Sequence, residues 1–179
     1  MLGSGRKKDR GLEEEVEAAP VKRLVDVEMS DRVRSLHEAR IRDITDPQGI
    51  GSIIDRYIEA GKYAESKGMY TRAAELYESA QNEGRNDAIR VYRGLGNEEK
   101  VIELYEARIR EITDPLSSGN MFDKNIKAAR YAEKAALMLS KAGQLKMLER
   151  AAGLYEETGD QSRDDAIRVV EEIEKLQSE

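Results

Sequence analysis

Three residue groups in this chain have chemistry to offer: one histidine, a recurring set of arginines, and an excess of carboxylates, 36 Asp and Glu against 30 Lys and Arg. His37 is the single imidazole, and the position sixty-eight residues later holds Tyr105. That place therefore asks for a flat, half-polar side chain in packing rather than for a proton shuttle. The carboxylate groups Glu13 to Glu15 and Asp164 with Asp165 fall in a terminal stretch and at an expected helix start, where solvation and capping account for them. Arg40, Arg42, Arg108 and Arg110 could grip a phosphate or an acidic partner. Arg42 and Arg110 stand four residues beyond Glu38 and Glu106, so helical ion pairs worth about 0.3–0.5 kcal/mol are expected to occupy them. There is no glycine-rich phosphate loop, no histidine pair at metal spacing and no serine elbow. With no cysteine, thiolate metal sites, thiol nucleophiles and disulfides are excluded. The expectation is a protein that is not an enzyme and needs no cofactor or metal.

The elements that carry these residues come in two sets. Glu38–Pro47 reads EARIRDITDP and Glu106–Pro115 reads EARIREITDP, identical at nine of ten positions. Residues 73–92 and 151–170 agree at eleven of twenty, at an offset of seventy-eight, which places an insertion of about ten residues around 136–145. An internal duplication follows, with copy one at 30–96 and copy two at 97–179.

Helical punctuation delimits the elements. Ser30 and Asp31 start a helix that Thr45, Asp46 and Pro47 stop, and Thr113, Asp114 and Pro115 stop its counterpart. A second helix is expected over about 50–67 with Gly68 as its left-handed cap, then one over about 70–80. Asn82–Gly84 should break the pattern before a shorter helix at about 86–93, closed by Gly94 and Gly96. Copy two is expected at about 98–112, 121–142, 144–158 and 162–177, its second helix lengthened by the insertion. The fold class is all-α, with about eight helices. Residues 1–29 read as a flexible charged tail, within which Val21–Met29 alternates apolar and polar residues and could dock as an extended piece.

Gly68, Tyr70, Ala73, Tyr77 and Ala80, with Tyr57 and Gly61 before them, have the spacing of a tetratricopeptide repeat. The chain resembles an irregular member of that family, since Gly68, Gly96 and Gly143 do not keep its period of about 34 residues. Small Gly61 and Ala73 let helices approach while Tyr57 and Tyr77 fill the space beside them. The resemblance implies an α-solenoid of antiparallel helix pairs whose concave face grips a peptide or a partner helix. Carried onto the matching helices, it points to Asp55, Glu59, Lys62 and Glu65 and to Asp123, Lys127, Arg130 and Glu133 as partner-binding residues. The basic-and-asparagine clamp for acidic tails is absent, because Ile58 and Lys62 stand in its place.

The expected function is a scaffold for another protein or peptide. The alternative is a self-assembling structural protein, a homodimer or longer array with no separate ligand. A net charge of −6 disfavours nucleic acid. No stretch approaches the roughly 20 apolar residues of a membrane span. MLGSGRKKDRG has no apolar secretory segment, and a cytoplasmic location is expected.

Overall fold

A computed structural model describes residues 22–179. Among them there are eight α-helices and no strand: α1 (Asp31–Ile44), α2 (Ile53–Ser66), α3 (Tyr70–Ser79), α4 (Gln81–Leu95), α5 (Glu98–Ile112), α6 (Met121–Ala136), α7 (Lys141–Glu156) and α8 (Arg163–Ser178). A 3-10 turn, Gly159–Ser162, precedes α8. Each helix packs on its neighbours in the chain, and α2 also touches α4. The closest packing lies within α2–α3–α4 and within α6–α7–α8, while α5 bridges the two groups through α4 and α6.

Alanine sets this closeness. Ala60, Ala64, Ala73, Ala74 and Ala88 in the first group, and Ala128, Ala129, Ala132 and Ala151 in the second, are fully buried. Their short side chains let neighbouring helices pack closely, since interaxial distance follows the size of the side chains at the contact. Tyr77 and Tyr155 fill the remaining space, and Ile41 and Ile109 seal α1 and α5 against the body, each side chain stabilising by about 1.5–3 kcal/mol. A methyl on Gly61 would stand 2.7 Å from the Tyr77 ring, so the small-beside-large pairing expected from sequence is present there.

The local stop signals act as anticipated. Ser30 Oγ accepts from Val33 N–H at the start of α1, and the Thr45 and Thr113 hydroxyls donate to the carbonyls of Ile41 and Ile109 at the ends of α1 and α5. Gly68 is left-handed, with φ +72°.

Three boundaries need correction. Asn82–Gly84 does not break the chain, because α4 starts at Gln81, which itself turns the backbone with φ +56°. Gly84 lies inside α4, where its missing side chain lets the helix pass beneath the Tyr77 carbonyl. Gly94 is likewise inside α4, and Gly96 alone caps it. The insertion does not lengthen the second helix of the later set: α6 ends at Ala136 and the added residues form the turn and first turn of α7. There Ser140 N–H donates to Glu98 Oε1 at 2.6 Å, and a Cβ on Gly143 would collide with the same oxygen. A carboxylate from α5 thus takes the place of a capping side chain at the start of α7.

Residues 22–30 run without regular structure along the body. Leu24 N–H donates to Gly94 O at 2.7 Å, Val27 N–H to Gly68 O at 2.9 Å, and Asp26 Oδ1 accepts from Thr71 N–H at 2.9 Å. Asp26 so caps α3, whose own N-cap Met69 offers no side-chain acceptor. Leu24 and Val27 occupy the space over Gly94 and Gly68 that a Cβ would need. The docked alternative for this segment is therefore the observed one over residues 22–29, and the remainder of the expected tail lies outside the described residues.

Candidate functional site

The eight residues expected to bind a partner divide into two classes. Asp55, Glu59 and Lys62 on α2, and Asp123, Lys127 and Arg130 on α6, are exposed. Spacings of four and three residues put each trio on one helix face. Asp123 is drawn to Asn120, whose side chain caps α6; the other five have no ion pair among the described residues. The α2 row carries two acids and one base, the α6 row one acid and two bases.

Glu65 and Glu133 face inward instead. Arg90 of α4 reaches Glu65 with two hydrogen bonds of 2.8 and 2.9 Å, Tyr77 of α3 donates to it at 3.1 Å, and Asp87 holds Arg90 from the other side at 3.1 Å. The same quartet recurs around Glu133, with Tyr155 of α7 donating at 2.6 Å and Arg168 of α8 at 2.8 Å from Glu133 and 3.3 Å from Asp165. Hydrogen bonds from Arg90 hold the Glu65 carboxyl below its ordinary value of 4.5, against a smaller opposing effect of burial. Burial first, then the neighbouring carboxylates, push the Tyr77 and Tyr155 hydroxyls far above the usual phenol range. These carboxylates and arginines satisfy one another, so neither quartet offers a free base or a free cation, and each ties three successive helices together.

These partners were readable in principle, since Glu65 and Glu133, Asp87 and Asp165, and Arg90 and Arg168 repeat as charges of opposite sign. The acid and the arginine of each quartet stand in the repeated DAIRV segments, residues 87–91 and 165–169, on either side of the buried Ala88 and Ala166. The ion pairs expected along α1 and α5 are also corrected. Glu38 pairs with Arg72 of α3 at 3.4 Å and Glu106 with Arg150 of α7 at 3.8 Å. A carboxylate that can reach an arginine on a packed helix leaves Arg42 and Arg110 without it.

His37 has the packing role expected of it. Its ring meets Tyr63 edge-on at 5.8 Å and 65°, with Nδ1 2.8 Å from the Tyr63 hydroxyl. Tyr105 meets Tyr131 at 5.7 Å and 67° in the corresponding place. Burial, followed by the charge of Tyr105, pushes the Tyr131 hydroxyl up to about 12. Arg56 and Lys124 are buried cations that reach back to the carbonyls of Asp46 and Asp114, and Lys124 adds Ser117 O at 2.7 Å. They pin the connections between α1 and α2 and between α5 and α6, using full charges where water would otherwise solvate the carbonyls.

Among the described residues no group of three or more His, Cys, Asp or Glu could hold a metal, and no helix is long and apolar enough to cross a membrane. Protein-family models, curated proteins and solved structures were all compared with this chain, and none matches it.

Proposed function

We propose that the protein is a non-enzymatic scaffold, an internally duplicated α-solenoid of antiparallel helix pairs similar to tetratricopeptide-repeat proteins, which holds a partner peptide or helix against α2 and α6. The observation that carries this reading is the contrast within each expected set. Glu65 and Glu133 are consumed by Tyr and Arg inside the body, whereas Asp55, Glu59 and Lys62 and Asp123, Lys127 and Arg130 stand exposed in two corresponding rows. A charged row that enters none of the ion pairs among the described residues is free to select a partner by charge. The rows differ in sign, so the partner that fits presents basic residues to α2 and acidic ones to α6.

The recurrent contacts support the duplicated solenoid: the two quartets, the two edge-on ring pairs, and the two long ion pairs from α1 to α3 and α5 to α7. So does the neighbour-to-neighbour packing.

The test is affinity capture from the native cytoplasm with the wild-type chain and with Lys62→Glu combined with Arg130→Glu. A partner retained by the wild type and lost by the double variant is the expected result. A retained set identical for both chains would remove the scaffold reading.

A further inference from the structure

The two ends of the helix series expose the surfaces that its middle covers. In the middle, α5 lies on α4. Val101 and Leu104 of α5 are buried, as are Ile89 and Tyr92 of α4, while Arg85 of α4 forms an ion pair with Glu111 of α5. Lys100 of α5 also reaches Glu78 of α3 at 3.5 Å.

Sixty-eight residues before α5, the first helix α1 carries the same side of that contact, and no other described helix covers it. Val33 and Leu36 replace Val101 and Leu104, and Leu36 is 64% exposed where Leu104 is 8%. Arg32 stands for Lys100 and Asp43 for Glu111; both are exposed. Seventy-eight residues after α4, the last helix α8 carries the other side. Ile167 stands for Ile89 and is 51% exposed where Ile89 is 6%; Val170 stands for Tyr92 and is exposed too. Arg163 stands for Arg85 and Glu156 for Glu78. Arg163, Ala166, Ile167 and Val170 line a shallow groove of about 310 Å³ with the carboxylates Glu156, Glu171 and Glu174 at its sides. Among the described residues Arg163 pairs with Asp160, at 3.8 Å, as Arg85 is steadied by Asn82.

The two ends are therefore complementary in kind as well as in place. Apolar Val33 and Leu36 match apolar Ile167 and Val170, acidic Asp43 matches Arg163, and basic Arg32 matches Glu156. The sign of each ion pair is the one found between α4, α5 and α3. We propose that a second copy of this chain covers α8 with its α1, so that molecules join head to tail through a contact built like the internal one of α4 with α5. The two patches lie on different helices, so the contact is heterologous and does not stop at two chains; it continues into an open array or closes as a ring. The association uses α1 and α8 rather than the α2 and α6 rows, and either can fail without the other.

Sedimentation velocity of the full chain across a range of concentrations tests this, with Arg163→Glu, Asp43→Lys and the variant carrying both changes. The wild type should gain mass with concentration beyond two chains. Each single reversal should leave monomer at concentrations where the wild type assembles, and the double reversal, which restores opposite charges across the junction, should recover assembly. Because the chain has no cysteine, Asp43→Cys and Arg163→Cys chains report the geometry directly. Oxidised together they should form a mixed disulfide faster than either forms one alone.

Several results would overturn the proposal. One is a wild type that stays monomeric throughout, as it would if another protein or the chain's own residues 1–21 covered α8. Another is a dimer that stops at two with Arg163→Cys alone cross-linking, the mark of symmetric α8 pairing. The third is a double reversal no better than the single ones.

Discussion

Replacing Gly84 by alanine should weaken the protein, although the same change at Gly153 should strengthen it. Both glycines lie inside helices, α4 and α7, and at both an alanine restricts the unfolded chain and favours helix by about 0.5–1 kcal/mol. Their surroundings decide the sign. A Cβ on Gly153 meets nothing within 4 Å, whereas one on Gly84 falls 2.1 Å from the Tyr77 carbonyl oxygen and 2.8 Å from the Ala80 Cβ. The first of these atoms is backbone, so no rotamer change relieves the contact, and the start of α4 must lift from α3. Overpacking of this kind costs about 1–3 kcal/mol and more where nothing can yield. Set against the helix gain, Gly84→Ala should lose about 1–2 kcal/mol, and Gly153→Ala should gain up to about 1 kcal/mol. For a chain of this size each kcal/mol moves Tm by about 2–4 °C. Thermal melts followed by circular dichroism at 222 nm, at one low protein concentration, should show Gly84→Ala below the wild type and Gly153→Ala at or above it. A Gly84→Ala protein as stable as Gly153→Ala would refute the close approach of α3 and α4.

Glu65 makes folding sensitive to acid. Its folded carboxyl titrates below 4.5, so its contribution is complete above the unfolded value and disappears as pH falls through the folded one. Glu65→Gln should cost about 1 kcal/mol near pH 7, a figure that allows for the half-exposed Arg90, and should flatten the fall of the urea midpoint as pH drops below the ordinary carboxyl value of 4.5; an unchanged acid slope would count against the quartet. Asp26→Ala should remove the cap of α3 at a cost of about 0.5–2 kcal/mol and speed hydrogen exchange at the Leu24 and Val27 amides. Unaltered exchange there would mean that Asp26 does not hold the segment down.

Local chemistry made some boundaries legible and contacts across helices concealed others. The ends of α1 and α5 follow from Thr-Asp-Pro, and the end of α2 from Gly68, because each signal acts within one turn of chain. The start of α4 was hidden because Gly84 reads as a breaker unless the Tyr77 carbonyl above it is known. The end of α6 was hidden because Ala135, Ala136 and Leu137 favour helix, and the turn that follows is fastened by Glu98 from another element. For the site, exposure of the α2 and α6 rows followed from helical spacing. The withdrawal of Glu65 and Glu133 into the body depended on Arg90 and Arg168, 25 and 35 residues further along. The end faces were visible only by setting α1 against α5 and α8 against α4, since Leu36 and Ile167 look like ordinary core residues in sequence.

The packing of each helix on those beside it in the chain also bears on how the protein is made. A ribosome releasing this chain delivers α2, α3 and α4 as a run that can bury its alanine faces before α6 has been translated. Short separations between touching segments keep the entropy of ring closure small, and collapse can proceed in the order of synthesis. Early-made portions need not wait, sticky and unfinished, for a distant late portion to complete them.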